Sequence, residues 1–268
     1  MAEVFNQLCT TRFGRMLVNS HDVYIGQSLR FYGEYSFDEV WLLQHFLTPG
    51  DTVIEVGANI GAHTVPLAQH LGNQGRLLAF EPQRLVFQLL CANLALNQCR
   101  HVEAFQAAVG AAPGRIAVPL LPADRDANFG GVELGDNEPG DHVIESAPVQ
   151  TIDSLILQQC SLLKADVEGM ECDVLLGAKE TIQRLQPVLY LENDRRDRSA
   201  ALLGQLFDLG YQIWWHLPSL FRADNFHGQL EDIFHIISLN LLCLPKGRSM
   251  PIEGLQPIAS VRDWPLPD

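Results

Sequence analysis

Four acidic residues stand in or just beyond short apolar runs, and their spacing suits a small charged ligand. Glu55 lies in Thr52-Val53-Ile54-Glu55-Val56, Glu81 follows Arg76 to Phe80, Asp166 follows Leu162 to Ala165, and Glu192 follows Val188 to Leu191. If these runs are strands of an open α/β sheet, their carboxyl ends share the edge where ligands bind. A single acid there commonly caps a helix, but four on one edge call for a ligand. The first run leads into Gly57-Ala58-Asn59-Ile60-Gly61, a turn whose glycines allow close approach to the backbone. Glu81 comes 20 residues after Gly61, where a carboxylate accepts hydrogen bonds from ribose hydroxyls. The combination implies an adenosine-containing cofactor.

The turn narrows which one. A dinucleotide fingerprint needs Gly-x-Gly-x-x-Gly so that a pyrophosphate can lie against a helix N-terminus. Here Asn59 holds the middle position, Gly61 follows Gly57 by four residues, and Glu55 stands just before. A carboxylate at that place repels a pyrophosphate and suits an ammonium, such as the one in the methionine half of S-adenosylmethionine. The spacing is closer to a methyltransferase than to a nicotinamide dehydrogenase.

Alternating strand and helix signals position these residues. After the first strand a helix is expected over His63 to Leu71, then the strand Arg76 to Phe80, a helix over Leu85 to Asn97 and a strand over His101 to Val109. From Gly110 to Gln150 the pattern gives way to a glycine- and proline-rich stretch, read as a hairpin with loops over the site. Its Ala127-Asn128-Phe129-Gly130-Gly131 piece is a candidate lid. Alternation resumes at Leu162, with a helix from about Glu171 to Leu185, the strand Val188 to Leu191, and a helix capped by Ser199 and closed by Gly210. Tyr211 to His216 and Phe234 to Leu244 read as late antiparallel strands, because Leu217 to Asp232 is too short for a packed crossover helix. The expected organisation is a cap segment (1–48), a main domain (49–244, with 110–150 inserted) and a proline-rich arm (245–268).

Composition excludes other classes. A chain of 268 residues, 47% hydrophobic, can bury one large core. No apolar run approaches the ~20 residues of a membrane span, and the N-terminus lacks a secretory pattern. Six cysteines without a Cys-x-x-Cys pair fit reduced thiols in a cytoplasmic protein rather than a zinc cluster or disulfide frame. A net charge of −14 argues against nucleic acid, which requires basic patches.

The pieces Val53 to Thr64 (VIEVGANIGAHT), Ala79-Phe80-Glu81-Pro82, Leu163 to Glu171 (LKADVEGME) and Leu189 to Asn193 (LYLEN) resemble the FkbM family of S-adenosylmethionine-dependent methyltransferases. The resemblance covers about Phe31 to Leu244. Its most distinctive element is Lys164-x-Asp166-Val167-Glu168-Gly169-x-Glu171; Ala165 stands where the family usually has a larger apolar residue. It implies a class I, Rossmann-like methyltransferase: a seven-stranded sheet with one antiparallel strand, helices on both faces, and methyl transfer to oxygen, commonly on a sugar or polyketide hydroxyl.

On that reading Glu55 and Gly57 would face the methionine portion, Asn59 and Gly61 would shape the turn, and Glu81 would hold the ribose diol. Ala108 and Val109 would flank the adenine, and Tyr35 and Glu39 would close over the cofactor. Asp166 would stand where donor and acceptor meet. A hydroxyl nucleophile needs help with its proton, by two routes. In one, Asp166, Glu192 and Asn193 bind Mg²⁺, a spacing that resembles catechol-type O-methyltransferases. In the other, slightly favoured, a base takes the proton directly: Glu168 or His216, with His235 and His227 behind them. Trp214 and Trp215, with Phe221 and Phe226 nearby, could stack on a sugar ring. The expected acceptor is a glycan or small molecule, and a homodimer is left open. Transfer to nitrogen, carbon or a protein side chain, and a non-catalytic cofactor-binding protein, stay as alternatives. An Asn/Asp-Pro-Pro-Tyr motif would favour nitrogen, but Asp166-Val167-Glu168-Gly169 stands in its place.

Overall fold

The computed structural model describes residues 5–135, 143–248 and 252–266. The chain opens with a hairpin, β1 (Asn6–Thr11) and β2 (Gly14–Asn19), followed by α1 (Ile25–Phe31) and α2 (Phe37–Gln44). Then come β3 (Thr52–Val56), α3 (Thr64–Leu71), β4 (Arg76–Phe80), α4 (Arg84–Leu96) and β5 (Val102–Phe105). A side sheet follows from β6 (Ala108–Val109), β7 (Gly114–Leu120) and β8 (Val143–Gln150). The main sheet resumes with β9 (Leu162–Ala165), α5 (Glu171–Gly177), α6 (Lys179–Leu185), β10 (Val188–Glu192), α7 (Arg196–Asp208), β11 (Tyr211–His216), β12 (Asn240–Pro245) and β13 (Gln256–Ile258).

The main sheet has eight strands in the order β13-β11-β12-β10-β9-β3-β4-β5. Strands β5, β4, β3, β9 and β10 run parallel, and β12 enters antiparallel between β10 and β11. This is the class I methyltransferase architecture, with β13 added antiparallel at the edge of β11. Both faces are covered, which is why the parallel strands read as apolar throughout. Residues Val53, Leu77, Leu162, Val188 and Tyr190 pack toward α1 to α4. Their neighbours Ile54, Leu78, Leu163, Leu189 and Leu191 pack toward α5 to α7.

Several elements differ from the sequence pattern. Helix 171–185 breaks at Ala178, whose φ of −114° and ψ of 7° leave the helical region; Gly177 beside it lies against the Gly110 carbonyl, where a Cβ would come within 2.0 Å of its oxygen. The third strand stops at Phe105, and Ala108–Val109 pairs with β8 in the side sheet. The hairpin expected within 110–150 is present as β7 and β8, with residues 136–142 outside the described part. Ser199 does not cap its helix: Arg195 holds that position, and Ser199 is buried in the first turns. The late strand begins only at Asn240, and His235 within the expected span adopts a left-handed φ of 52°, outside the extended region. The tail supplies β13, although Pro251 and Pro267 lie outside the described residues. No helix among the described residues is long and apolar enough to cross a membrane.

Candidate active site

Strand register builds the site in two levels. Leu191, Ala165, Val56 and Phe80 form one lateral row of apolar residues. One residue further along, Glu192, Asp166, Gly57 and Glu81 follow on adjacent strands and form the rim. One residue before that row, Tyr190, Lys164, Glu55 and Ala79 form the floor. Alternation points floor and rim side chains to the same face of the sheet, and Glu55 sits a level below the other three acids.

Above these levels is a cavity of about 280 Å³. Tyr35, Glu39, Glu55, Gly57, Asn59, Glu81, Asp166, Glu168 and Glu192 all line it. The loop at 127–131 also reaches it, through Asn128, Gly130 and Gly131, while Phe129 is buried and its carbonyl accepts from Gln83 Nε2 at 2.8 Å. Aliphatic side chains also line the cavity, from Leu220, Ile236, Ile237 and Leu239.

The turn does what its residues allow. Gly57 has φ +80° and faces the Asp166 carbonyl so closely that an added Cβ would lie 1.9 Å from its oxygen. Gly61 (φ +88°) packs under Leu90 and shapes the turn without lining the cavity. Asn59 takes a left-handed φ of 48°, tolerable for asparagine, and its N–H donates to Glu81 Oε2 at 3.0 Å. Gln83 N–H donates to Glu81 Oε1 at 2.8 Å. Two backbone donors thus fix the Glu81 carboxylate and leave lone pairs on both oxygens for a diol.

Beneath the rim is a buried charge cluster. Lys164, 1% exposed, donates to Asp166 Oδ2 at 3.3 Å. Burial would lower its pKa, but Asp166, Glu55 and Glu39 reverse this and hold it above the ordinary lysine range. Burial raises Glu39 and Glu55 to about 7, against the pull of Lys164. It raises Glu81 to about 7 as well, against its two backbone donors. Ser36 Oγ donates to Glu39 Oε1 at 2.6 Å.

Three of the acids form a second cluster. Glu168, Glu192 and Asp194 offer carboxylate oxygens within 4.8 Å of one another. Arg195 donates to Glu168 Oε2 at 2.6 Å and pairs with Glu133 at 2.7 Å. Glu168 holds a left-handed φ of 53°, unusual for glutamate, in a turn whose Val167 and Gly169 N–H groups donate to Glu171 Oε1. Burial and the charge of Asp166 raise Glu168 to about 7. The same two causes hold Glu192 well above the carboxylate range.

Eight expected participants are absent from the cavity lining. Asn193, one residue past Glu192, points to the other face and donates to Ser199 Oγ at 2.9 Å, so the set Asp166, Glu192 and Asn193 is not assembled. His216 lies outside the lining, where its Nδ1 shares a 2.7 Å hydrogen bond with the Tyr190 hydroxyl and burial lowers it to about 4. Ala108 and Val109 are buried in the side sheet, away from the lining residues. His227 bonds to the carbonyls of Phe31 and Thr10, and His235 is paired with Asp232. No tryptophan lines the cavity: Trp215 is buried against Trp264, and Trp214 packs on the core.

The missed participants include Lys164 and His63, both within quoted motifs, and Asp194 and Arg195 just past β10. A lysine in an otherwise apolar parallel strand must find charged partners, and that was the available signal. His63 offered none beyond its place after Gly61.

The model of the methyltransferase FkbM domain matches residues 55–213. Methyltransferase sdnD of Sordaria araneosa is 26% identical over 157 residues, 48% of this chain and 60% of its own. Methyltransferase 1 of Beauveria bassiana (strain ARSEF 2860) is 25% identical over 183 residues, 60% of this chain and 73% of its own. The chain therefore spans less than two thirds of the length of the Sordaria protein. Among solved structures, a precorrin-6y C5,15-methyltransferase from Geobacter metallireducens GS-15 superposes with a TM-score of 0.50 at 14% identity, covering 78% of this chain and 87% of that one. The methyltransferase FkbM from Methylobacillus flagellatus KT gives 0.49 at 18%, covering 73% and 44%. The Geobacter likeness speaks to the fold alone.

Proposed function

The chain belongs to the FkbM methyltransferase family, and from that premise we propose that it transfers a methyl group from S-adenosylmethionine to a hydroxyl oxygen of a sugar or small secondary metabolite. The observation that carries the cofactor half is the rim row of Glu192, Asp166, Gly57 and Glu81 above a floor holding Glu55. These residues fit the cofactor: Glu55 Oε2 is buried without a partner, and Glu81 keeps free lone pairs between two backbone donors. Glu55 and Gly57 would face the methionine portion, and Glu81 the ribose. When bound, the cofactor supplies an activated methyl group on a sulfonium.

The chain's own contribution is alignment and a proton acceptor. The acceptor would lie against Leu220, Ile236, Ile237 and Leu239, with its hydroxyl toward Asp166 and Glu168. Glu168 takes the hydroxyl proton as methyl transfer proceeds; raised to about 7, it can accept a proton near neutral pH. Arg195 holds it in place and stabilises its ionised form. The aliphatic wall supports a metabolite with an apolar face. Asn193 points away, and Arg195 already balances Glu168, so direct proton removal is favoured over a Mg²⁺ route.

The test is methyl transfer from labelled donor to a panel of glycosides and hydroxylated metabolites, with and without EDTA. Label on oxygen, insensitive to EDTA, is expected. Label on nitrogen would overturn the acceptor reading, and loss with EDTA restored by Mg²⁺ would overturn the metal-free route. Binding of NAD without binding of S-adenosylhomocysteine would overturn the cofactor.

A further inference from the structure

Glu192 and Asn240 are register partners where the antiparallel β12 meets β10, and both line the cavity. Residues directly opposite in such a pair hold their side chains on one face, with Cβ atoms about 4.5–5.5 Å apart. Asn240 is 4% exposed. Its Nδ2 is a buried donor without an acceptor, and Glu192 Oε2 beside it is a buried acceptor without a donor. The two are neighbours, yet they do not satisfy one another. The Tyr190 hydroxyl is near enough to feel the Asn240 amide, but its short bond is to His216 Nδ1 at 2.7 Å. An amide nitrogen has two N–H groups, so at least one is left over.

The strand order places this pair on the acceptor side of the site. It runs β12-β10-β9-β3-β4, so Asp166 on the end of β9 stands between the pair and the cofactor residues Glu55, Gly57 and Glu81. Leu239, one of the aliphatic lining residues, immediately precedes Asn240. The chemistry of the pair then limits what it can hold. An ammonium has donors only and gives Asn240 nothing; a carboxylate or an ether oxygen has lone pairs only and gives Glu192 nothing. A hydroxyl has one O–H and two lone pairs, and satisfies both at once. A carboxyl keeps an acceptor oxygen whether or not it is protonated, so Glu192 serves in either state. We infer that Glu192 Oε2 and Asn240 Nδ2 together hold a second hydroxyl of the acceptor, the one left unmethylated, a reading that rests on the hydroxyl transfer proposed above. The acceptor is thereby a compound with neighbouring hydroxyls, a diol or a sugar, and Asn240 helps decide which of them faces the methyl donor.

The test uses matched probes: trans-cyclohexane-1,2-diol against cyclohexanol, and phenyl β-glucoside against its monodeoxy counterparts, with labelled donor. Wild type should favour the probe with the neighbouring hydroxyl by at least about tenfold in kcat/KM. Asn240→Leu keeps the size of the side chain and removes the donor. It should bring the ratio within about twofold of unity, chiefly by losing rate on the diol. Equal rates in wild type would leave the pair to a bound water and overturn the inference, as would a ratio that survives in Asn240→Leu. A second wild-type measurement guards against a misfolded variant. In protein saturated with S-adenosylhomocysteine, the side-chain amide ¹⁵N resonance of Asn240 should shift with the preferred diol and not with its mono-hydroxy counterpart. An unmoved resonance at saturating diol would overturn the inference with the function reading intact. Transfer to no hydroxyl of the panel would overturn the function reading, and this site with it.

Discussion

Lys164 and Glu55 are register partners on β9 and β3, 1% exposed each, with side chains on the face that carries the cavity. A lysine at this depth keeps its charge because Asp166, Glu55 and Glu39 surround it. The dependence runs both ways, since those carboxylates have no other buried cation among the cavity-lining residues.

Lys164→Met should therefore destabilise the fold, by about 3 kcal/mol where the neighbouring acids are ionised. Glu39 and Glu55 titrate near 7, so at pH 6 they can protonate and soften the loss. Urea unfolding of wild type and variant at pH 6 and pH 8 checks this. An equal loss at both values would refute the balancing role.

The buried acids also set the pH dependence of the unliganded protein. Glu39, Glu55 and Glu81 are raised from 4.5 to about 7. A raised carboxyl contributes stability that is full below its unfolded pKa and is lost as pH rises through the folded one. Their contribution thus declines between roughly pH 4.5 and 7, and the empty protein should melt lower at pH 8 than at pH 6. A cationic ligand favours the ionised forms, so its affinity should rise over the same interval with release of protons. Calorimetry at pH 7 in buffers of different ionisation enthalpy measures that release; zero release would contradict it.

Gly57→Ala should cost at least about 2 kcal/mol through backbone strain alone. Its φ of +80° and the Asp166 oxygen 1.9 Å from the added Cβ leave no cheap relaxation. Affinity for S-adenosylhomocysteine should fall with it. Gly204, within α7 and open to solvent space on its Cβ side, is the control: Gly204→Ala should be neutral or stabilising by up to about 1 kcal/mol. Thermal melts and calorimetry on both variants separate site strain from a general intolerance of alanine.

Glu168 and Asn193 were both expected at the reacting end, but the structure separates them. Glu168→Gln should leave S-adenosylhomocysteine affinity nearly unchanged and reduce turnover by at least about 100-fold. Asn193→Ala should lose its bond to Ser199, costing about 1 kcal/mol of stability, with turnover per folded molecule retained. Steady-state kinetics on an identified acceptor decides; loss of turnover in Asn193→Ala would return that residue to the site.

Much of the cofactor half was legible because it is local in kind: a strand, a glycine turn, an acid at the next strand end. The levels within it were less so. Glu55 reads as one of four strand-end acids, yet pairing sets it a level below Glu81, Asp166 and Glu192, beside Lys164. Strand alternation alone would have excluded Asn193 once Glu192 faced the cavity. The 127–131 piece was legible as a loop over the site, and Asn128, Gly130 and Gly131 do line the cavity; the aliphatic residues Ile236, Ile237 and Leu239 were not, because irregular segments take their position from what they pack against. Asn240 was hidden for another reason: its meaning lies in an unpaired nitrogen, which composition does not reveal.

The rim has a further consequence, for how the molecule comes to exist. Its four residues run from position 57 to position 192 and stand at the carboxyl ends of four different strands, so no short stretch of chain contains the whole rim. Parallel pairing of this kind closes long loops before it gains contacts, which makes assembly slow relative to helix formation. A ligand that bridges the rim can then bind only the finished sheet, and by mass action it stabilises that state over every partly folded one. Cofactor supply and the survival of newly made chains are thereby linked through the same row of residues.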